Sequence, residues 1–122
     1  MGIKAEVAFG QLVGLDPDYT LKPKGDGGID FTTTLGGRTV TIDVKGARTP
    51  IYLFLKEKDA HQAADIMVLA RVTGDEVWFL GWEHKSIMLA MPVRDFGYGI
   101  RNYFRHYSEL RPIWQLVKLL RG

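Results

Sequence analysis

The sequence contains no cysteine among its 122 residues. Without thiols the chain can form neither a disulfide framework nor a thiolate metal site, and a reducing cytoplasm is its expected location. It also lacks a signal-peptide pattern and any apolar run near the roughly 20 residues that span a bilayer, so no membrane partner is expected. No repeat or linker divides the chain. We therefore expect one globular domain, residues 1–122, large enough for a single sheet with packed helices.

Histidine is also scarce, with three residues in the whole chain. His61, His84 and His106 lie far apart and match neither a zinc-ligand spacing nor a nucleophile–base arrangement. The stretch GDGG at 25–28 precedes a predicted strand instead of opening a helix, which argues against a dinucleotide site. Its glycines are better suited to a turn that delivers the acidic residue at the start of that strand.

A strong hairpin signal is present in residues 29–46. The segments IDFTTTL and RTVTIDV are rich in β-branched residues and are separated by Gly36-Gly37, a pair that tolerates the positive φ angles of a two-residue turn. The pairing that this turn imposes places Asp30 directly opposite Asp43. Opposed residues have Cβ atoms about 4.5–5.5 Å apart, and like charges at that spacing destabilise a sheet. The facing carboxylates therefore need an explanation.

A shared metal ion would explain the paired acids. Side chains alternate between the faces of a strand, so Asp30, Asp43 and Lys45 are expected on one face and the apolar residues on the other. Mg²⁺ takes one or two carboxylates and keeps its remaining sites for water and phosphate oxygens. Lys45 would project beside the ion. The alternative is a surface hairpin in which solvent and Lys45 weaken the repulsion between the two carboxylates.

The hairpin begins with an Asp after a glycine-rich turn, in GID, and its second strand carries Asp-x-Lys, in DVK. This pattern resembles the active-site core of the PD-(D/E)xK nuclease superfamily. The resemblance covers about residues 3–83, with Ile29 in place of the proline. It implies an α/β, restriction-endonuclease-like domain with a mixed central sheet flanked by helices. It also implies that Asp30, Asp43 and Lys45 are catalytic and that Mg²⁺ or Mn²⁺ is the cofactor. The order of elements is similar to that of archaeal-type Holliday junction resolvases.

Members of this superfamily often carry a glutamate on an N-terminal helix that reaches the metal, and Glu6 matches that position. The segment GIKAEVAFGQLVGL predicts a helix that ends at Gly14. A carboxylate in the apolar stripe of a buried helix costs several kcal/mol unless it is paired or metal-linked. The resemblance implies that Glu6 joins Asp30 and Asp43 as a metal ligand, directly or through water. The other interpretation is a first-turn glutamate that interacts with the helix dipole.

Positive charge is concentrated in the last quarter of the chain. The formal net charge is +2, yet residues 1–93 carry −2 and residues 94–122 carry +4. This basic segment alternates arginines with aromatic residues, a mixture suited to phosphate contacts and to stacking on unpaired bases. Arg101, Arg105 and Arg111 are the predicted nucleic-acid contacts. The aromatic residues are more typical of an ordinary core, and the arginines suit a structural role equally well.

The segment SELRPIWQLVKLLRG predicts a terminal amphipathic helix with Ser108 as its N-cap and Pro112 in its first turn. Its apolar face must be buried, either on the chain's own sheet or in a homodimer seam. A homodimer would place two active sites about a twofold axis, as cutting both strands requires. The middle of the chain predicts a short strand at Ile51–Leu55, one or two helical turns, and a second hairpin in ADIMVLARV-TGDE-VWFLGW.

The expected function is that of a Mg²⁺- or Mn²⁺-dependent endonuclease that hydrolyses DNA phosphodiester bonds, with a homodimeric junction resolvase as one form of it. The alternative is a non-catalytic DNA-binding or assembly module that keeps the nuclease scaffold. Retention of Asp30, Asp43 and Lys45 together favours the enzyme. Metal binding distinguishes the two hypotheses.

Overall fold

The structure, a computed structural model, describes residues 2–16 and 29–122. Its helices and strands are, in chain order, α1 (Gly2–Val13), β1 (Phe31–Leu35), β2 (Arg38–Ala47), β3 (Tyr52–Lys56), β4 (Ile66–Thr73), β5 (Glu76–His84), α2 (Lys85–Met88), β6 (Val93–Asp95), β7 (Arg101–His106) and α3 (Ile113–Arg121). Short 3-10 helices span Glu57–Gln62 and Tyr107–Glu109. The predicted turn at 25–28 lies outside the described residues. No helix in the described ranges is long and apolar enough to cross a membrane.

The predicted first hairpin is confirmed in β1 and β2. Gly36 and Gly37 have φ angles of 59° and 77°, as a two-residue turn of the mirror-image type requires. The register is the predicted one and ends with Phe31 opposite Ile42. Both of these side chains are completely buried. The turn therefore sets the position of every side chain in the hairpin.

This hairpin belongs to a four-stranded mixed sheet with the order β1-β2-β4-β5. Strands β2 and β4 run parallel, whereas β4 and β5 form the second predicted hairpin. All side chains from Ile66 to Ala70 of β4 are buried, which is typical of a strand covered on both faces. The predicted α/β fold with a mixed central sheet is confirmed.

Helices α1 and α3 cover one face of the mixed sheet. The core between them consists of Ala5, Phe9, Val13, Phe31, Ile42, Val44, Ile66, Val68, Ala70, Val72, Trp82 and Leu116. The apolar face of α3 is thus buried on the chain's own sheet, as one of the two predictions had it. The predicted cap is wrong: α3 begins after Pro112, and the Ser108 hydroxyl lies 2.7 Å from Nδ1 of His106 in a separate turn.

A second, antiparallel sheet covers the other face, where the prediction had helices. Its order is β3-β7-β6, and its inner residues Leu53, Leu55 and Tyr103 pack on Met67 and Leu69 of β4. The predicted short strand is confirmed as β3, one residue later than expected. Strands β6 and β7 were not predicted, because β6 has three residues and β7 carries two arginines.

The outer face of the second sheet carries part of the predicted aromatic segment. Its rings contact one another with centroids 4.9–5.8 Å apart: Tyr52, Phe54, Phe96, Phe104 and His106. The Arg94 guanidinium lies 4.6 Å from the Phe96 centroid. These rings form a half-buried surface cluster and take no part in either apolar core.

One glycine lets the C-terminal segment pack against the sheet. Gly81 has a φ of 153° beside a bulge in β5, and a Cβ built there would lie 2.5 Å from the Leu110 Cβ. The close approach allows Trp82 and Arg111 to exchange two backbone hydrogen bonds of 3.0 Å. Arg111 is thereby placed beside β5.

Candidate active site

The predicted catalytic residues come from three places in the fold. Asp43 and Lys45 lie in β2, Asp30 immediately precedes β1, and Glu6 lies in α1. Side-chain alternation in β2 sends Val44 into the core beneath the helices. Asp43 and Lys45 therefore project from the opposite face, beside Met67 and Leu69 of β4.

Asp43 and Lys45 form a direct ion pair. The Lys45 Nζ lies 2.8 Å from the Asp43 Oδ2, with the carboxylate side chain 11% exposed and the lysine side chain 42% exposed. A buried carboxylate needs such a partner to offset the loss of its hydration. The Lys45 ammonium is therefore half-exposed, whereas the Asp43 carboxylate that it contacts is mostly buried.

Asp30 is tied to the backbone between these two residues. Its Oδ2 accepts a hydrogen bond of 2.7 Å from the Val44 N–H, and its own N–H donates to the Ile42 carbonyl at 2.8 Å. Asp30 therefore continues the pairing of the hairpin by one residue and lies next to Asp43. The predicted convergence of Asp30, Asp43 and Lys45 is present in the structure.

Glu6 reaches the same site from α1. Burial, followed by a side-chain hydrogen bond with Glu6, raises the pKa of Asp30 from its ordinary value of 3.8 to about 9. The Val44 N–H lowers this pKa, while the negative charges of Asp43 and Glu6 raise it. Two carboxyl groups share a hydrogen bond only when one is protonated, so a proton lies between Asp30 and Glu6. Because α1 has no acidic residue in its first turn, the helix-dipole interpretation of Glu6 is wrong.

The donor set fits a hard divalent cation. Within the described ranges, no three His, Cys, Asp or Glu side chains are already gathered in a group that could hold a metal. Mg²⁺, however, needs only one or two carboxylates, since water and phosphate supply the other oxygens. Asp30 and Asp43 supply that number. Burial first, and then the neighbouring carboxyl groups, raise the pKa of Asp30, and a bound cation would displace the proton that neutralises this group.

The three arginines predicted to contact nucleic acid are each paired with a carboxylate. The Arg101 Nε lies 3.0 Å from the Glu57 Oε1. Arg105 and Arg111 both contact Glu83, with Nε–oxygen distances of 3.3 Å and 2.7 Å. Arg105 is mostly buried, whereas Arg101 and Arg111 remain largely exposed. The latter two therefore keep free surface for an anionic partner.

Glu83 is a buried carboxylate that the sequence analysis missed. Its side chain is 1% exposed, and it shares a cross-strand row with Asp43 because both lie opposite Met67. Its Oε1 also accepts the His84 N–H at 2.9 Å. The available signal was an acidic residue that directly follows the apolar run VWFLGW. Glu83 joins the mixed sheet to β7 through Arg105.

Replacing Glu83 by Gln should destabilise the fold without touching the catalytic residues. We expect Glu83→Gln to lower the free energy of unfolding by roughly 3 kcal/mol, because the mostly buried Arg105 loses its buried counter-charge and keeps only the exposed Glu109 carboxylate at 3.5 Å. Urea denaturation measures the change. Glu76→Gln, at the exposed start of the same strand, is the control and should stay within about 0.5 kcal/mol of the parent. Equal stability of both variants would contradict the structural role of Glu83.

Comparisons with protein-family models, curated proteins and solved structures found no match. Functional inference therefore depends on the residues themselves. An ion pair joins Asp43 to Lys45, and a hydrogen bond ties Asp30 to the backbone between them. A side-chain hydrogen bond joins Asp30 to Glu6.

Proposed function

We propose that this protein is a PD-(D/E)xK-type endonuclease that hydrolyses DNA phosphodiester bonds with Mg²⁺ or Mn²⁺ as cofactor. One observation carries the proposal. The Val44 N–H binds Asp30 at 2.7 Å while its two neighbours in the chain, Asp43 and Lys45, form a 2.8 Å ion pair. Two carboxylates and an ammonium thus meet at the start of the hairpin, a donor set suited to a cation and a phosphate.

Each residue has a distinct role in this proposal. Asp30 and Asp43 would hold the cation, with Glu6 acting directly or through water. When bound, the ion supplies Lewis acidity toward a phosphate oxygen and lowers the pKa of water. Lys45, whose ammonium contacts the Asp43 carboxylate, would orient the attacking water or stabilise negative charge that develops on the phosphate.

The exposed cations of the C-terminal quarter support a nucleic-acid substrate. Arg101 and Arg111 keep exposed guanidinium surface, and the segment 94–122 has a net charge of +4. Such charges neutralise phosphates without regard to sequence. We further propose a cytoplasmic homodimer that resolves four-way junctions, because cutting two strands symmetrically requires two sites.

Cleavage of a substrate panel tests the activity. Linear duplex, flap, four-way junction and single-stranded DNA are incubated with the protein and Mg²⁺, Mn²⁺ or EDTA. We expect metal-dependent cuts in at least one substrate and none in EDTA. Preferential cutting of the junction, together with a dimeric mass by light scattering, would support the resolvase form. Intact DNA in every lane would count against the enzyme.

The non-catalytic module is favoured by one observation. A lysine and a proton already neutralise the carboxylates, so the site is stable without a cation. Calorimetric titration with Mn²⁺ separates the hypotheses. The enzyme should bind Mn²⁺ and release protons, because ligands must lose theirs, and Asp43→Asn should abolish the binding. Failure of the parent protein to bind Mn²⁺ would favour the module.

A further inference from the structure

A groove of about 700 Å³ lies between β5 and α3. Trp82 and His84 of β5 form the floor and one wall, and Trp114 and Lys118 of α3 form the other wall, with Arg111 at the join. The volume falls in the range of about 300–1,000 Å³ that is usual for ligand sites. None of the proposed catalytic residues lines it.

The groove is positively charged. None of the described residues that line it is acidic, and two of them are the cations Arg111 and Lys118. Arg111 uses its Nε to bind Glu83 at 2.7 Å, which fixes the side chain while the remainder of the guanidinium stays accessible. The charge of the groove therefore suits an anionic ligand.

The other main lining is aromatic. Trp82 is 2% exposed and forms the floor of the groove, and its indole N–H donates to the Pro112 carbonyl at 3.0 Å. Its ring meets that of His84 with centroids 4.9 Å apart. Trp114 is 62% exposed and presents its ring to the groove. Flat apolar rings beside cations match a ligand that is both planar and anionic.

The groove lies two strands away from the hairpin that carries Asp43 and Lys45. His84 pairs with Ile66, which in turn pairs with Ile42, the neighbour of Asp43. Adjacent strands are about 4.8 Å apart, so two steps across the sheet separate the groove from the hairpin. The groove opens on the face of the mixed sheet that α1 and α3 cover, whereas Asp43 and Lys45 project from the opposite face. It is therefore a separate site, and a ligand bound there needs no contact with Asp43 or Lys45.

We propose that this groove binds one unpaired nucleotide of a nucleic-acid strand. The base stacks on Trp114, and Lys118 and Arg111 bind its phosphate. The proposal rests on the proposed function for the class of ligand, but it requires no cleavage. An acidic peptide would satisfy the cations and leave the exposed indole without a partner, so the nucleotide fits the lining better.

Binding of a labelled oligothymidylate of ten residues, followed by fluorescence anisotropy in EDTA, tests this site in the full chain. Trp114→Ala should weaken binding by roughly fivefold or more, because one stacked base is lost. Trp78→Ala is the matched control, since Trp78 is 60% exposed and lies outside the groove, and it should bind like the parent. Undetectable binding by the parent, or equal loss in both variants, would overturn the proposal.

Lys118→Ala provides a second, independent measurement. We expect weaker binding and a salt dependence whose slope falls by about one, because a single phosphate contact is removed. Lys58→Ala, an exposed lysine outside the groove, should keep the parent slope. Tight binding of polyglutamate in competition with the oligonucleotide would assign the groove to acidic peptides instead and overturn the proposal.

The two proposals fail separately. If the parent binds the oligonucleotide through Trp114 but cleaves no DNA, the nuclease proposal is refuted and the proposal of a nucleotide-binding groove is supported. If the parent cleaves DNA and Trp114→Ala binds the oligonucleotide normally, the groove assignment fails alone.

Discussion

Lys45→Ala should abolish Mg²⁺-dependent DNA cleavage, with a loss of at least about 100-fold in the single-turnover rate. The ammonium lies 2.8 Å from the Asp43 carboxylate, where it can act on both the attacking water and the phosphate. No other described side chain in the site supplies a positive charge. Rates are measured with enzyme in excess, on the best substrate of the panel.

Two companion variants make this result specific. Asp43→Ala should lose cleavage to a similar extent because one of the two carboxylates proposed to hold the cation is removed. Lys58→Ala, which changes an exposed lysine outside the site, should retain the parent rate. Thermal melting must show that all three variants are folded. Parent-level turnover in both Lys45→Ala and Asp43→Ala would refute the assignment.

Asp30→Asn should raise the melting temperature in metal-free buffer at pH 8. The amide reproduces the protonated carboxyl: its oxygen can accept the Val44 N–H and its NH₂ can donate to Glu6. It cannot ionise, so it avoids the burial cost of a charged group and the repulsion from Asp43 and Glu6, which together help raise the pKa of Asp30 to about 9. Differential scanning fluorimetry in EDTA measures the shift.

The pH dependence of this shift has a definite sign. The pKa of Asp30 is 3.8 in its ordinary state and about 9 in the fold, so the folded chain binds more protons than the unfolded chain between these values. The parent therefore loses stability as pH rises through that window. The advantage of Asp30→Asn should be small near pH 4 and should grow toward pH 9.

The control for this experiment is Asp75→Asn, because Asp75 is fully exposed. Its melting temperature should follow that of the parent at every pH. A lower melting temperature for Asp30→Asn at pH 8 would show that the ionised carboxylate stabilises the fold. That result would contradict the charge crowding on which the site is based.

The sequence alone determined the hairpin and most of the candidate site. Gly36 and Gly37 select one turn, the turn selects one register, and the register brings Asp30 to Asp43. Each step involves neighbours in the chain, so local patterns carry the information. The helix that holds Glu6 was likewise evident from its spacing, and it ends at Val13, directly before Gly14 with a φ of 75°.

Only the tertiary structure decided how the C-terminal quarter folds. Strand β7 pairs with β3 about fifty residues earlier, and its Arg105 points inward, which breaks the apolar alternation expected of a strand. That arginine is accommodated because Glu83 lies buried opposite it. The groove at Trp114 depends on the same long-range packing. The acidic residue after VWFLGW is a local signal for Glu83, but nothing local pairs it with Arg105, since each residue is favourable only when the other is in place.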